Sequence, residues 1–296
     1  MSWFKRILLF GVTNLAVILV LTVVLRLLGI DRLLAQHGGL DYRALLVLAL
    51  VLGMGGSLVS LALSRWMAMR FTGAEVIEQA RSETESWLLS TVSDLARRKG
   101  IGTPGVAIYE AADMNAFATG MSRDRALVAV STGLLRGMDR QQVRAVLGHE
   151  LSHVANGDMV TLALIQGVVN TFVLFLSRVA GYLVDRVVFR TERGVGPGYF
   201  VTVIVTEIAF GLLATMVVMW FSRWREFRAD AGSAAVLGAA PMISALERLR
   251  DAAEPATLPR QLSAFGIAGR PGRGLRSLFL SHPPLADRIE ALRRPG

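Results

Sequence analysis

Not one cysteine occurs in the 296 residues. Disulfide frameworks, thiolate zinc sites, iron–sulfur clusters and a cysteine nucleophile are excluded together, so any bound metal must rely on His, Asp or Glu. Charge is sparse as well: 19% of the chain is charged against 53% hydrophobic, with a mean hydropathy of +0.48, whereas a soluble domain carries roughly 25% charge. Lysine is nearly missing, with Lys5 and Lys99 standing beside 30 arginines. Because the arginines are scattered, the net charge of +9 reads as composition and membrane-flanking anchors, and no nucleic-acid partner is expected. The sequence also lacks a G-x-x-x-x-G-K-[ST] phosphate loop, which argues against ATP hydrolysis by this chain.

What the chain does have is long apolar runs. Residues 7–28 carry one charge, Arg26; residues 44–64 and 159–176 carry none; residues 199–222 carry only Glu207. At about 1.5 Å per helical residue, each approaches or exceeds the ~30 Å hydrocarbon layer. Lys5 and Arg6 precede the first run in the manner of a signal peptide, but its apolar core is long and no A-x-A site follows, so a retained helix is expected. Gly53, Gly55, Gly56, Ser57 and Ser60 give the second run a small-residue face suited to close helix packing. Glu207, costly in a bilayer, is expected to be structural, pairing with Gln166 or Asn170 or facing a watery cavity.

Four spans place both termini on one side. Nine basic residues flank the spans on that side against six on the other, which puts the termini in the cytoplasm. The expected fold class is a predominantly α membrane protein. Two transmembrane hairpins, within residues 1–64 and 159–222, alternate with two polar pieces, 65–158 and 223–296, that together form an α+β catalytic domain with a short sheet. In the first polar piece, apolar spacing predicts a helix over 75–99 ended by Gly100, then strands over 105–109, 115–119 and 126–131.

Asp139 is a good N-cap, with Gln142 placed to complete a capping box. Along the helix that follows runs His149-Glu150-Leu151-Ser152-His153. The i, i+4 spacing puts both imidazoles on one face, where they can grip one ion, with Glu150 beside a metal-bound water. The plain alternative is two exposed histidines near a helix end. A catalytic metal needs a third ligand. His37 sits in the loop between the first two spans, on the wrong side, and His282 precedes two prolines. Glu226 and Asp230, again i, i+4, follow the fourth span; alone they could equally be a solvated pair balancing Arg223, Arg225 and Arg228.

Together these motifs, with Asn115-Ala116-Phe117-Ala118-Thr119-Gly120, the Asn156-Gly157-Asp158 tail, Ser281-His282-Pro283-Pro284-Leu285 and Arg288-Ile289, run almost end to end. The sequence resembles the HtpX-type membrane zinc endopeptidases, relatives of the CAAX prenyl proteases among the glutamate-ligand zinc peptidases. The resemblance implies one Zn2+ per chain held by His149, His153 and Glu226, with Glu150 as general base and then proton donor. It implies Asp230 orienting a ligand imidazole, His282 and Arg288 stabilising the oxyanion, and Asn115, Ala116, Phe117 and Ala118 as the edge along which substrate lies. His282 could instead be a packed histidine, and Arg288 a surface or ion-pairing residue. The resemblance also implies bacterial inner-membrane quality control under stress, alongside an ATP-dependent membrane protease.

Chain separations narrow the client. About six residues, or ~9 Å if helical, lie between His153 and the third span, so the metal is expected just above the bilayer and membrane proteins with unfolded segments are the natural substrates. Two other readings stay open at this point. One is a dedicated peptide processor like the CAAX relatives; the other is a non-catalytic scaffold or transporter holding zinc, which would not need a glutamate inside the metal motif.

Overall fold

The computed structural model describes residues 41–192, 194–253 and 282–294. The expected first span, His37 and the glycine- and proline-rich stretch 254–276 fall outside these residues. The described chain forms helix α1 (Tyr42–Thr72), β1 (Glu75–Val76), α2 (Glu83–Arg98), β2 (Gly105–Tyr109), β3 (Ala116–Thr119), β4 (Leu127–Ser131), α3 (Thr132–Gly137), α4 (Arg140–Asn156), α5 (Asp158–Val187), α6 (Pro197–Leu237), α7 (Ala239–Ala253) and α8 (Leu285–Arg293). Among the described residues three helices, α1, α5 and α6, are long and apolar enough to cross a membrane. All three outrun the apolar stretches that announce them, because no proline or capping signal interrupts the backbone where the charges begin.

Two compact units divide the chain. One collects the described residues of Met1–Ser60 and Thr161–Val218, the other those of Leu61–Val160 and Met219–Gly296. In the first, Leu45, Leu46 and Ala49 of α1 pack on Phe175 and Val179 of α5. The small-residue face is used selectively: a Cβ on Gly53 would collide with Thr171, while Gly55 and Gly56 face open space. Glu207 pairs neither with Gln166 nor with Asn170; its carboxylate accepts a hydrogen bond from Arg178 at 2.9 Å. An arginine is the stronger partner where a lone carboxylate would be costly.

The second unit is built on a four-stranded sheet of order β1-β2-β4-β3, in which β2 and β4 run parallel and the two edge strands antiparallel. All five residues of β4 are buried, so both faces of the sheet are covered. One face carries Val106, Val128 and Val130 against Leu88, Val92 and Leu95 of α2, Leu147 and Leu151 of α4, Met242 and Leu246 of α7 and Ile289 of α8. Ala107, Tyr109, Leu127 and Ala129 point the other way, with Ala74, Met69 and Phe117. The strand alternation of period two thus separates two cores.

The helix expected over 75–99 begins later. Glu75 and Val76 pair with Ile108 and Ala107 as β1, and α2 starts only after Ser82, whose hydroxyl caps it by accepting from the Glu85 amide. The Ser82-x-x-Glu85 pattern is the start signal, and it outweighs the apolar spacing upstream.

Candidate metal centre

Local sequence fixes where α4 begins and ends. Asp139 accepts hydrogen bonds from the Gln141 and Gln142 amides while the Gln142 side chain accepts from the Asp139 amide, closing the capping box. Gly157 ends the helix at φ 73, in the left-handed region that glycine enters without a Cβ penalty. The chain therefore turns sharply and starts α5 at Asp158, one residue later.

On α4, His149 and His153 project from one face, and α6 brings Glu226 against them. The Nε2 atoms of the two imidazoles stand 3.1 Å apart. Glu226 Oε2 lies 3.6 Å from His149 Nε2, and Glu226 Oε1 lies 3.3 Å from His153 Nε2. All three residues are buried and could hold a metal ion together. A tetrahedral ion with bonds of about 2.0–2.1 Å keeps its ligand atoms roughly 3.3 Å apart; the two imidazole nitrogens stand close to that spacing, and Glu226 approaches it with a different oxygen toward each histidine. The donor set, two nitrogens and a carboxylate, suits a borderline cation.

Behind the triangle, each imidazole is held by a carboxylate. His149 Nδ1 donates to Asp230 Oδ1 at 2.8 Å, and His153 Nδ1 donates to Asp158 Oδ2 at 2.7 Å. With the proton kept on Nδ1, each Nε2 turns its lone pair inward, the tautomer a metal requires. The Arg288 guanidinium, buried in α8, donates to both oxygens of Asp230 at 2.7 and 2.6 Å and reaches Glu226 Oε2 at 3.2 Å. His282, largely exposed, stands 2.9 Å from the same Glu226 oxygen.

The charges of this cluster shift one another's protonation. Burial pulls the His149 imidazolium down, but hydrogen bonds to Asp230 and Glu226 and the charge of Glu150 overcome it and leave the pKa at about 9. His153 is raised by Asp158 and Glu226 against the same burial cost. Burial pushes the Glu226 carboxyl up, yet its three histidine neighbours hold it well below the usual carboxylate range. Asp230 is lowered chiefly by Arg288, again against burial.

Glu150 follows His149 on α4, partly exposed and outside the donor triangle, yet its charge is felt by both histidines. Strand β3 packs beside α4 and, among the described residues, pairs in the sheet with β4 alone, on one of its two edges. The strand starts at Ala116. Asn115 just precedes it, its amide donating to the Ser131 hydroxyl at 3.0 Å, while Phe117 lies against Tyr109.

The structure thus gathers His149, His153, Glu226, Asp230, His282 and Arg288 at one place, with Glu150 on the same helix and residues 115–118 on the strand alongside. Asp158 is the member that sequence reasoning passed over. Its signal was the Asn156-Gly157-Asp158 tail: a glycine able to turn left-handed, directly followed by a carboxylate.

Comparison with known proteins agrees with this geometry. Residues 82–295 match the model of peptidase family M48. Protease HtpX of Thioalkalivibrio sulfidiphilus is 60% identical over 290 residues, covering 98% of both chains. A Protease HtpX homolog of Bordetella avium is 60% identical over 293 residues, again covering 98% of each. The crystal structure of S. mikatae Ste24p shares the fold with a TM-score of 0.56 at 15% identity, covering 97% of this chain and 67% of that one. The chain belongs to peptidase family M48, with the HtpX proteases, and is a membrane metalloprotease.

Proposed function

We propose that the chain is a zinc-dependent endopeptidase of the bacterial inner membrane that cuts misfolded or damaged membrane proteins without ATP. The observation that carries the reading is the buried cluster of His149, His153 and Glu226, which could hold a metal ion together and whose imidazoles are already oriented by carboxylates. Four spans, the first over 7–28, would place both termini and the catalytic residues of 65–158 and 223–296 in the cytoplasm, with 1–64 and 159–222 as membrane hairpins. The juxtamembrane position of the ligands in the sequence favours membrane proteins as clients, and the absence of a phosphate loop supports independence from ATP. Such an enzyme would work beside an ATP-dependent membrane protease.

Bound at the triangle, zinc would supply Lewis-acid polarisation of the scissile carbonyl and a water acidic enough to ionise near neutral pH. Glu150 accepts the proton of the attacking water and returns it to the leaving amine. Asp230 and Asp158 keep the ligand histidines in the Nδ1–H tautomer. Arg288 and His282 stand on the Glu226 side, where the Arg288 charge and the N–H groups of both can meet the developing oxyanion, while Arg288 also holds Asp230 and Glu226 in place. The side of β3 away from β4, unpaired among the described residues and entered through Asn115, Ala116, Phe117 and Ala118, offers main-chain bonds to an extended substrate.

Two results are expected. Asp158→Asn keeps the shape but loses the charge that fixes His153, so zinc affinity should fall about 10- to 100-fold, read by chelator competition. In vesicles without nucleotide, a misfolded membrane protein should be cut at least about tenfold faster than its native form. Equal rates, or a requirement for ATP, would contradict the quality-control reading.

A further inference from the structure

The two helices that carry the metal donors meet backbone to backbone at one seam. On α4, a Cβ at Gly148 would stand 2.7 Å from the Ser233 hydroxyl; on α6, a Cβ at Gly232 would stand 2.7 Å from the Ser152 hydroxyl. Both serines are buried. Ser152 Oγ donates to the Gly148 carbonyl at 2.7 Å within α4, and Ser233 Oγ donates across the seam to the Ala145 carbonyl at 2.8 Å.

A third helix closes this seam. Lys99, the C-cap residue of α2, sends its ammonium 2.6 Å from the Gly232 carbonyl oxygen and 2.8 Å from Ser152 Oγ. Among the described residues no carboxylate makes an ion pair with it. Burial accordingly lowers its pKa, which an ordinary solvated lysine would not show.

The identity of the residue matters as well. Lys99 is the sole lysine beyond Lys5 in a chain with 30 arginines. A compact ammonium on a flexible stem can enter a narrow seam and bond two converging oxygens, whereas the planar guanidinium fork needs a wider, flatter partner.

We propose that Lys99 is a positioning residue for the metal centre: by joining Ser152 of α4 to Gly232 of α6, it fixes the separation between the His149–His153 pair and Glu226. Ser152 is the immediate neighbour of His153, and Gly232 lies two residues past Asp230 on the helix that carries Glu226. Helices move as rigid rods over one or two turns, so slippage at this seam is passed directly to the donor triangle. A shift on the order of 1 Å would take one donor beyond the bond lengths a tetrahedral ion accepts. The inference rests on those three residues being the ligands.

The test uses the full chain in detergent. Zinc affinity is measured by competition with a chromophoric chelator, beside the melting midpoint of the zinc-free form, for the wild type, Lys99→Met, Lys99→Arg, Ser152→Ala and Glu226→Gln. Lys99→Met is expected to weaken zinc binding at least tenfold. Ser152→Ala should weaken it by a smaller factor, and Lys99→Arg should recover only part of the loss. Should Lys99→Met fail to fold, Ser152→Ala decides alone: threefold or greater weakening supports the proposal and wild-type affinity overturns it. Wild-type affinity in Lys99→Met, with or without a lowered melting midpoint, also overturns it, provided Glu226→Gln loses zinc. Wild-type affinity in Glu226→Gln instead overturns the ligand reading on which the proposal rests.

Discussion

Glu150→Gln is expected to lower kcat by about a thousandfold, within the range general acid–base groups contribute, while leaving one zinc bound per chain. The side chain stands outside the donor triangle, so the ion loses no ligand. Glutamine keeps the size and most of the hydrogen bonding but can neither take a proton from water nor return one to an amine. The Glu150 charge helps raise both His149 and His153, so its removal eases their deprotonation, while the same loss of negative charge weakens the attraction for a dication; the two effects oppose each other and neither removes a ligand. A variant that cuts at the wild-type rate would remove Glu150 from the chemistry. A variant that loses zinc would instead make it a ligand.

Zinc removal should have the second large effect, with a pH signature that follows from the protonated cluster. In the zinc-free protein His149 titrates at about 9, up from 6.5. Zinc must displace that proton, so below about pH 9 binding releases at least one proton and His153, also raised, adds to it. Apparent affinity should therefore weaken about tenfold or more for each unit of pH lost between 8 and 6. Stability of the zinc-free form runs the opposite way. A raised histidine contributes stability that is complete below 6.5 and disappears as pH climbs through about 9. The lowered carboxyls of Glu226 and Asp230 contribute stability that is present above their ordinary pKa values and lost on acidification. The melting midpoint of chelated protein should thus fall from pH 6 to pH 9, while zinc-loaded protein should hold. Parallel curves for the two forms would show that these histidines do not exchange protons for metal.

Much of this was legible before any coordinates. The His149 to His153 spacing, the Asp139 capping box and the Glu226 to Asp230 spacing are local patterns on uninterrupted helices, where periodicity alone sets which residues share a face. The three main strands were legible because each is a short apolar run bounded by glycine or polar turns. Other features depend on events that periodicity does not encode. Asp158 reaches His153 after the left-handed Gly157 has ended the helix, so continuous helical spacing misplaces it. Arg288 joins Asp230 across 58 residues, and Arg178 finds Glu207 across 29; such pairs are set by packing. Strand β1 is two residues long, below the length at which any alternation shows.

The most direct test of the central claim is cleavage of an unfolded membrane protein by the purified full-length chain, without nucleotide, before chelation, after chelation and after zinc is returned. The account predicts that activity disappears with the metal and returns at one zinc per chain. Cleavage that survives complete chelation, or that appears only when ATP is added, would contradict it.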